Sequence, residues 1–412
     1  MRGPRPPGPL RVLVVGHTAE LGGAELALVR LCAALRQDAA GVDVRAALLA
    51  DGPLVALLED AGTPVRVVAA DPALVTAARG TLTTPSAGAL RRVAAAARTV
   101  VALRRVVRAA RPDVVHTTTL KADVLGLVAA WTCRVPVVWH VHDRVAPDYL
   151  PPAVVRVLRA VARRGPRAVV ANSRATAATL PGVRDLTVAY PGFAPEQARP
   201  APPGPPSGRP RVVGLLGRLS PTKGQLELVR ATPAVLAHHP DVVVRLVGAP
   251  AFGAEGYARE VEAEVRRLGL EGRVELAGFA ADPAAVLDSL ALCVHASPVP
   301  EPFGQVVVEA MVRGVPVVAT DAGGVPEILR AADPPLGRLV PPGDPQALAD
   351  AIVAVLDDPR AAHDVAARAH AVALARFSVA ETARTVSAVW RRAARPAPAR
   401  RRRPVPAPPR TA

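Results

Sequence analysis

The stretch that most limits how this chain can fold runs from His295 to Glu327, HASPVPEPFGQVVVEAMVRGVPVVATDAGGVPE. An apolar run leading into it, LALCVHAS from Leu290 to Ser297, reads as a fully buried strand that stops at a proline-bounded loop, Pro298 to Pro302. Gly304 to Arg313 then carries Val307, Ala310 and Met311 on one helical face, and PVVAT supplies the next strand. Strand, loop, helix and strand make the βαβ unit of an open parallel sheet. Ligands of such sheets sit beyond the carboxyl ends of the strands, where a phosphate would find a helix N-terminus. The loop puts Glu301 at that edge, and Glu309 follows after seven intervening residues. Taken alone, the two carboxylates are open to acid and base work or to holding hydroxyl groups.

The same alternation fills the rest of the chain. After MRGPRPPGP, the segment RVLVVG reads as a buried strand, and HTAELGG as a loop before a helix in which Ala24, Ala27, Leu28, Leu31 and Leu35 recur at helical spacing. Gly22 and Gly23 would let backbone amides approach an anion at that helix's N-terminus, although a glycine pair can also be only a tight turn. The glycines after this strand fall at 16, 22 and 23, which is not the GxGxxG of a dinucleotide site. Further strand-like runs stand at Val42 to Leu49, Val65 to Ala70, Val114 to Thr118, Pro136 to His142, Ala168 to Ser173 and Leu186 to Tyr190. A segment with six prolines and no periodicity, Glu196 to Pro210, reads as a linker. The second half restarts with RVVGLLGRLSPTKG, adds strands at Val242 to Gly248 and Arg273 to Ala277, and passes through the opening stretch. It closes with a helix that Asp344 would cap before Pro345, and two more helices.

Composition narrows what such a chain does. Its 412 residues suit two α/β domains, and half of them are apolar. With aromatics at 3%, stacking platforms for single-stranded nucleic acid are disfavoured. Cys32, Cys133 and Cys293 match neither a disulfide framework nor a metal-site spacing, so reduced thiols in a cytoplasmic setting are expected. No apolar stretch reaches the length of a membrane span or a signal-peptide core, so neither spanning nor secretion is expected. The formal charge of +16 is uneven: Arg391 to Ala412 holds eight arginines and no acid. That tail should be disordered, either as a tether to anionic lipid or nucleic acid or as a plainly solvated end. A helix between Gly88 and Ala110 carries Arg91, Arg98 and Arg105 as a stripe, with Leu90, Val93, Ala97, Val100 and Val107 on a neighbouring face. The stripe suits peripheral contact with an anionic membrane at the inner face of the cell, or ordinary solvation.

Polar residues gather at predicted strand ends. His116, His140 and His142 would line a cleft, and a cluster of His, His and Asp at one strand end favours function over a structural histidine. A third well-spaced metal ligand is missing and Asp-x-Asp does not occur, so no metal site is expected. Arg218 and Lys223, five apart in a loop after a strand, could clamp two phosphates, the arginine by its planar fork and the lysine as a point charge.

Together GHTAELGGAE, RPDVVHTT, VHD at 141 to 143, GRLSPTKG and EPFGQVVVEAMVRGVPVVATDAGGVPEIL resemble the retaining nucleotide-sugar glycosyltransferases of family 4, also described as glycosyl transferases group 1, from Arg11 to about Trp390. The resemblance implies a GT-B fold, that is, two Rossmann-like parallel-sheet α/β domains facing a cleft, with C-terminal helices crossing back to the first domain. The expected division is a disordered 1–10, an acceptor domain at 11–195, the linker at 196–210, a donor domain at 211–376, a crossover helix at 377–395 and the basic tail at 396–412.

By the same resemblance Glu301 holds donor-sugar hydroxyls and Glu309 the ribose hydroxyls. Arg218 and Lys223 stabilise the departing diphosphate, helped by amides near Gly304 and by Gly22 and Gly23, and Phe303 belongs with the donor-binding residues. His142 would position or polarise the transferred sugar. A carboxylate suits the holding roles because it accepts two hydroxyl protons at once, and fixed cations would make a metal unnecessary.

A retaining glycosidase uses a second carboxylate about 5 Å away as nucleophile. No second carboxylate is placed for that here, and with the retention that the resemblance implies, front-face attack by the acceptor is the expected course. The activity implied is transfer of a hexose from a nucleoside-diphosphate sugar to a lipid-linked, polysaccharide or small-molecule acceptor, without a cofactor and without specific nucleic-acid binding. A nucleotide-sugar epimerase or hydrolase of the same fold remains the alternative enzyme, and a basic nucleic-acid- or membrane-binding protein the alternative class. Two segments depart from the family pattern, YPGF at 190–193 and APAFG at 249–253, and the second puts the identity of the base in doubt.

Overall fold

The computed structural model describes residues 8–37, 41–71, 89–201, 210–250 and 254–395. The basic tail, most of the linker, most of the N-terminal ten residues and the end of the APAFG segment lie outside the described residues.

The first domain alternates β1 (Leu10–Gly16), α1 (Gly23–Gln37), β2 (Val42–Leu48), α2 (Pro53–Asp60), β3 (Val65–Val67), α3 (Ala89–Ala110) and β4 (Val114–Thr117). It continues with α4 (Leu120–Trp131), β5 (Val137–Val141), α5 (Pro152–Arg164), β6 (Ala168–Ala171), α6 (Arg174–Ala178) and β7 (Leu186–Val188). The strands form one parallel seven-stranded sheet in the order β3-β2-β1-β4-β5-β6-β7. Leu10, expected in a disordered end, already pairs with Val42. Several strands, among them β3, β6, β7 and β11, are shorter than the apolar runs that announce them, because the last residues of each run turn out of the sheet into the loop that follows.

The second domain repeats the plan. Its first half is β8 (Arg211–Leu216), α7 (Gln225–His238), β9 (Val242–Val247), α8 (Glu255–Arg267), β10 (Val274–Gly278), α9 (Pro283–Asp288) and β11 (Leu292–His295). Then come α10 (Gln305–Val312), β12 (Val317–Thr320), α11 (Val325–Leu329), β13 (Arg338–Val340), α12 (Pro345–Asp357), α13 (Pro359–Arg376) and α14 (Val379–Ala394). The six-stranded sheet runs β10-β9-β8-β11-β12-β13, again parallel. Asp344 caps α12 by accepting from the Ala347 N–H at 3.0 Å.

Each sheet is covered on both faces, as an all-parallel sheet requires. Leu103, Val107, Ala129 and Leu158 of α3, α4 and α5 cover one face of the first sheet. Leu28, Leu31, Leu54 and Leu58 of α1 and α2 cover the other, together with Val386 and Trp390 of α14. The last helix of the chain is therefore built into the first domain. The linker is not wholly free: Arg199 N–H donates to the Val312 carbonyl at 3.0 Å, docking its first residues on α10.

The buried face of α3 differs in part from the expectation. Ala95, Thr99, Leu103, Val106 and Val107 face the core, while Val93 and Ala97 are exposed. Val100 and Val107 of the expected face do pack on the core; alanine and valine occupy both sides of this helix, so periodicity alone does not separate them from Val93 and Ala97. Arg91, Arg98 and Arg105 are exposed as expected. No helix among the described residues is long and apolar enough to cross a membrane.

Candidate active site

In both sheets the strand order reverses once, between β1 and β4 and between β8 and β11. The loops leaving two such strands diverge to opposite faces and open a crevice between them. The motifs singled out from the sequence occupy these loops: His17 to Gly22 after β1, Thr118 and Thr119 after β4, Gly217 to Gly224 after β8, and Ser297 to Gly304 after β11. His17 Nδ1 and Thr119 Oγ1, 2.7 Å apart, tie the first two loops together.

On the second-domain wall, Lys223 Nζ donates to both carboxylate oxygens of Glu301, at 2.6 and 2.9 Å. His295 Nε2 lies 3.5 Å from the same carboxylate. Burial alone would raise the Glu301 carboxyl, but Lys223 and His295 outweigh it and hold the group well below the usual carboxylate range. The backbone that presents the pair is tightly constrained. Gly224 has φ +81°, and a Cβ there would lie 1.9 Å from the Ala296 carbonyl oxygen, so only glycine lets the lysine loop close onto the end of β11. Gly323, at φ +67°, presses in the same way on the Glu301 backbone, and the Gly324 N–H donates to the Glu301 carbonyl at 2.9 Å. Arg218 is exposed at the head of its loop, whose carbonyl accepts from Gln225 Nε2 at 2.9 Å.

The first-domain wall carries three imidazoles in contact: His116 meets His140 edge-on with ring centroids 5.2 Å apart, and His140 meets His142 at a tilt with centroids 4.1 Å apart. Burial pushes His116 down to about 3 and His142 to about 4, and holds His140 well below its ordinary value, with the neighbouring imidazoles adding to the shift at His116 and His140 and Asp143 opposing it at His142. All three are neutral at pH 7. Trp390 Nε1–H donates to His116 Nδ1 at 3.0 Å, so the proton of His116 sits on Nε2. His142 Nδ1 has no partner among the described residues. His140 and His142 line a narrow recess with Ala27, Leu28, Thr118 and Pro191.

The two walls meet across the cleft. A Cβ on Gly23 would lie 2.9 Å from Gln305 Nε2, so the glycine loop opening α1 faces the first turn of α10. Glu25, in that first turn of α1, is raised by burial and by Asp143, against a backbone hydrogen bond and the charge of Arg218. The charge of Arg218 thus reaches Glu25 in the first turn of α1. Glu309 is raised by burial and countered by Arg30, whose guanidinium lies 3.8 Å away. Arg30 also donates to Gln305 Oε1 at 2.5 Å.

Phe303, expected among the donor-binding residues, has its side chain 2% exposed and stacked on Tyr190 at 5.5 Å between centroids. Several residues had no signal in the sequence. Glu327 accepts from the Arg174 and Ala175 N–H groups at 2.9 and 2.6 Å and from Tyr190 Oη at 3.0 Å, latching the domains together. Ser173 Oγ donates to the Pro302 carbonyl at 2.6 Å beside it. The unusual YPGF segment belongs to this junction, since Phe193 pairs with the strand-like turn at Ser378.

Two facing parallel-sheet domains, each with its polar loops at a switch point, define the class, and comparison with known proteins gives the same family. Residues 22–204 match the model of the glycosyl transferase 4-like domain and residues 201–372 that of glycosyl transferases group 1. The chain belongs to these GT-B glycosyltransferases. Among solved structures, Anabaena HepE in complex with UDP-glucose is 30% identical, with a TM-score of 0.78 over 93% of this chain and 100% of that one. Phosphatidyl-myo-inositol mannosyltransferase of Mycobacterium leprae is 39% identical over 172 residues, 40% of this chain and 44% of that protein. D-inositol 3-phosphate glycosyltransferase of Corynebacterium kroppenstedtii is 34% identical over 194 residues, 45% of this chain and 42% of the relative. The matches thus span less than half the length of these two relatives.

Proposed function

We propose that the protein transfers a hexose from a nucleoside-diphosphate sugar to a lipid-linked or glycan acceptor, with retention of configuration and without a metal. The observation that carries this reading is the Lys223–Glu301 pair at 2.6 Å on one wall, with the charge of Arg218 reaching Glu25 of the other. Two fixed cations at a switch-point crevice suit a diphosphate whose negative charge grows as it leaves, which is the work a chelated metal does elsewhere. When the diphosphate takes over Lys223, the Glu301 carboxylate is released to accept the sugar hydroxyls. The similarity to a UDP-glucose complex along the whole length of that chain supports a nucleotide-sugar donor. The inositol- and lipid-directed relatives support the acceptor class.

His142 enters as a neutral imidazole. Its Nδ1, without a protein partner, can accept a hydrogen bond from a sugar or acceptor hydroxyl. Attack from the face the diphosphate leaves requires no protein nucleophile, and the Glu301 carboxylate, once released by Lys223, is occupied in accepting the sugar hydroxyls.

The test incubates the chelator-treated protein with a panel of nucleoside-diphosphate hexoses and follows nucleotide release with and without inositol-lipid and glycan acceptors. Acceptor-dependent release giving a product with the donor's anomeric configuration by proton NMR is expected. Equal release without acceptor would assign a hydrolase or epimerase instead, and inverted product would remove front-face attack.

A further inference from the structure

The outer surface of the first domain is made by α3, α4 and α5, lying side by side over one face of its sheet. The middle helix is unusual in what it shows to solvent. Every exposed residue of α4 is apolar: Val124, Val128 and Trp131, at positions i, i+4 and i+7 of one face, with Trp131 78% exposed. Its one acid, Asp123, is wholly buried and bonded to Thr117. The stripe runs about 11 Å along the helix axis, from one turn beyond the cleft edge to the helix end.

The flanking helices supply charge of one sign. Arg91, Arg98, Arg105 and Arg108 are exposed on α3, and Arg156 and Arg164 on α5, and no acid is exposed on any of the three helices. Arg98 is drawn aside, to Asp71 at 3.1 Å. Val101 of α3 and Val157 of α5, 46% and 62% exposed, add apolar surface on the flanking helices. The helices are locked together as one surface. Cys133, just past α4, contacts the Arg104 carbonyl of α3 at 3.9 Å, and a Cβ on Gly165 at the end of α5 would meet Leu127 of α4 at 2.5 Å.

We infer that this surface docks on an anionic lipid bilayer, with Trp131, Val128 and Val124 entering the interface and the arginines of α3 and α5 lying over acidic headgroups. An exposed apolar rib between two basic flanks is what an interfacial surface requires: buried apolar area gives the attachment and the cations give the preference for anionic lipid. Tryptophan favours the boundary, where its ring is half in hydrocarbon and its N–H in water. The alternatives fit less well. Nucleic acid would use the arginines but leave Val124 and Val128 without a role. A second copy packed on this face by a two-fold axis would set arginine against arginine. The sequence leaves the arginine stripe of α3 and the tail open between membrane contact and ordinary solvation; the proposal centres the contact on α4 instead. The proposal is separate from the transfer reading, because lipid binding is measured without a sugar donor.

The protein's own tryptophans make the test specific. Of the three, Trp139 and Trp390 are each 1% exposed, so a change in emission on lipid binding comes from Trp131. The full chain is mixed with vesicles of phosphatidylcholine alone or with 30% phosphatidylglycerol, and followed by sedimentation and by emission. Co-sedimentation with the anionic vesicles only, weakened by salt and accompanied by a blue shift quenched by brominated acyl chains, is expected. Trp131→Glu should lower the partition at least tenfold, and Arg105→Glu with Arg108→Glu by at least about fivefold per arginine. Circular dichroism melting of each variant should match that of the native protein. Binding to vesicles without the emission change would place the contact on the tail and overturn the proposal. So would failure to bind, affinity for DNA that exceeds affinity for anionic vesicles, or a dimer in solution that Trp131→Glu dissolves.

Discussion

The two walls of the cleft hold matching positions in two sheets of the same plan, yet they are built by opposite means. The second-domain wall is charged, with Lys223 on Glu301 and Arg218 exposed beside it. The first-domain wall presents three neutral imidazoles in edge-on and tilted contact, His116 and His140 buried and His142 half-buried, with an indole N–H below them. A fixed charge acts on whatever charge develops opposite it, whereas a neutral cluster acts through shape and through which nitrogen carries a proton. One fold therefore carries a wall whose chemistry is Coulombic and another whose chemistry depends on burial.

Acid should separate the two walls most. The folded values of His116 and His142 are about 3 and about 4, against 6.5 for the free group, and that of His140 is also far below. Below pH 6.5 the unfolded chain binds protons that the folded chain refuses, so stability is full above that pH and lost as pH falls. The loss approaches about 1.4 kcal/mol per pH unit for each histidine until its folded value is reached. Glu301, depressed from 4.5, contributes above that value and loses its contribution only as pH falls further. Urea midpoints should hold from pH 8 to 7 and drop between pH 6 and 5, and His140→Leu should flatten the drop by one proton. A flat profile in the native protein would contradict neutral buried imidazoles.

The charged wall is tested by turnover. Lys223→Ala should lower kcat by about 10²–10³-fold, because the charge it meets is greatest in the transition state. Initial rates of nucleotide release measure it, and a higher KM with intact kcat would remove the leaving-group role. A smaller effect is expected below the histidine cluster. Trp390→Phe leaves His116 Nδ1 buried without its donor and should cost about 1–3 kcal/mol in urea unfolding. Nitrogen-15 shifts should show His116 leaving the Nε2–H tautomer; an unchanged tautomer would mean that Trp390 only fills space. The least effect is expected at Glu309, where Gln keeps the shape and loses the charge. Calorimetry should show nucleoside diphosphate bound about tenfold more weakly to Glu309→Gln, and unchanged affinity would end the ribose role.

The strands and the second-domain wall were legible in the sequence because their determinants are local. Apolar runs such as Val12 to Val15 and Leu292 to Val294 are wholly buried, and Lys223 and Glu301 stand at the ends of such runs in adjoining loops. What the sequence hid is set by distance along the chain. Trp390 and His116 are 274 residues apart and Arg30 and Gln305 are 275 apart, and nothing near either member of a pair announces the other. The face of α3 was only partly legible for another reason: alanine and valine lie all round it, so its orientation follows from the sheet and from α4 beside it. Phe303 sits inside a site motif, but the rings its side chain packs against, Tyr190 and Phe377, lie outside that motif and could not be read from it.

The pairing at Phe193 has a mechanical consequence. The chain passes between the domains twice, once after β7 and once between α13 and α14. At the crossing the Phe193 N–H donates to the Phe377 carbonyl and the Val379 N–H to the Phe193 carbonyl, each at 2.9 Å. Two separate tethers would let one lobe slide, twist and tilt on the other. Two tethers stitched to each other act as a single pin, about which the lobes can swing but not shear. The Lys223 loop and the His142 loop, carried on opposite leaves of that hinge, would then return to the same register each time the cleft shuts.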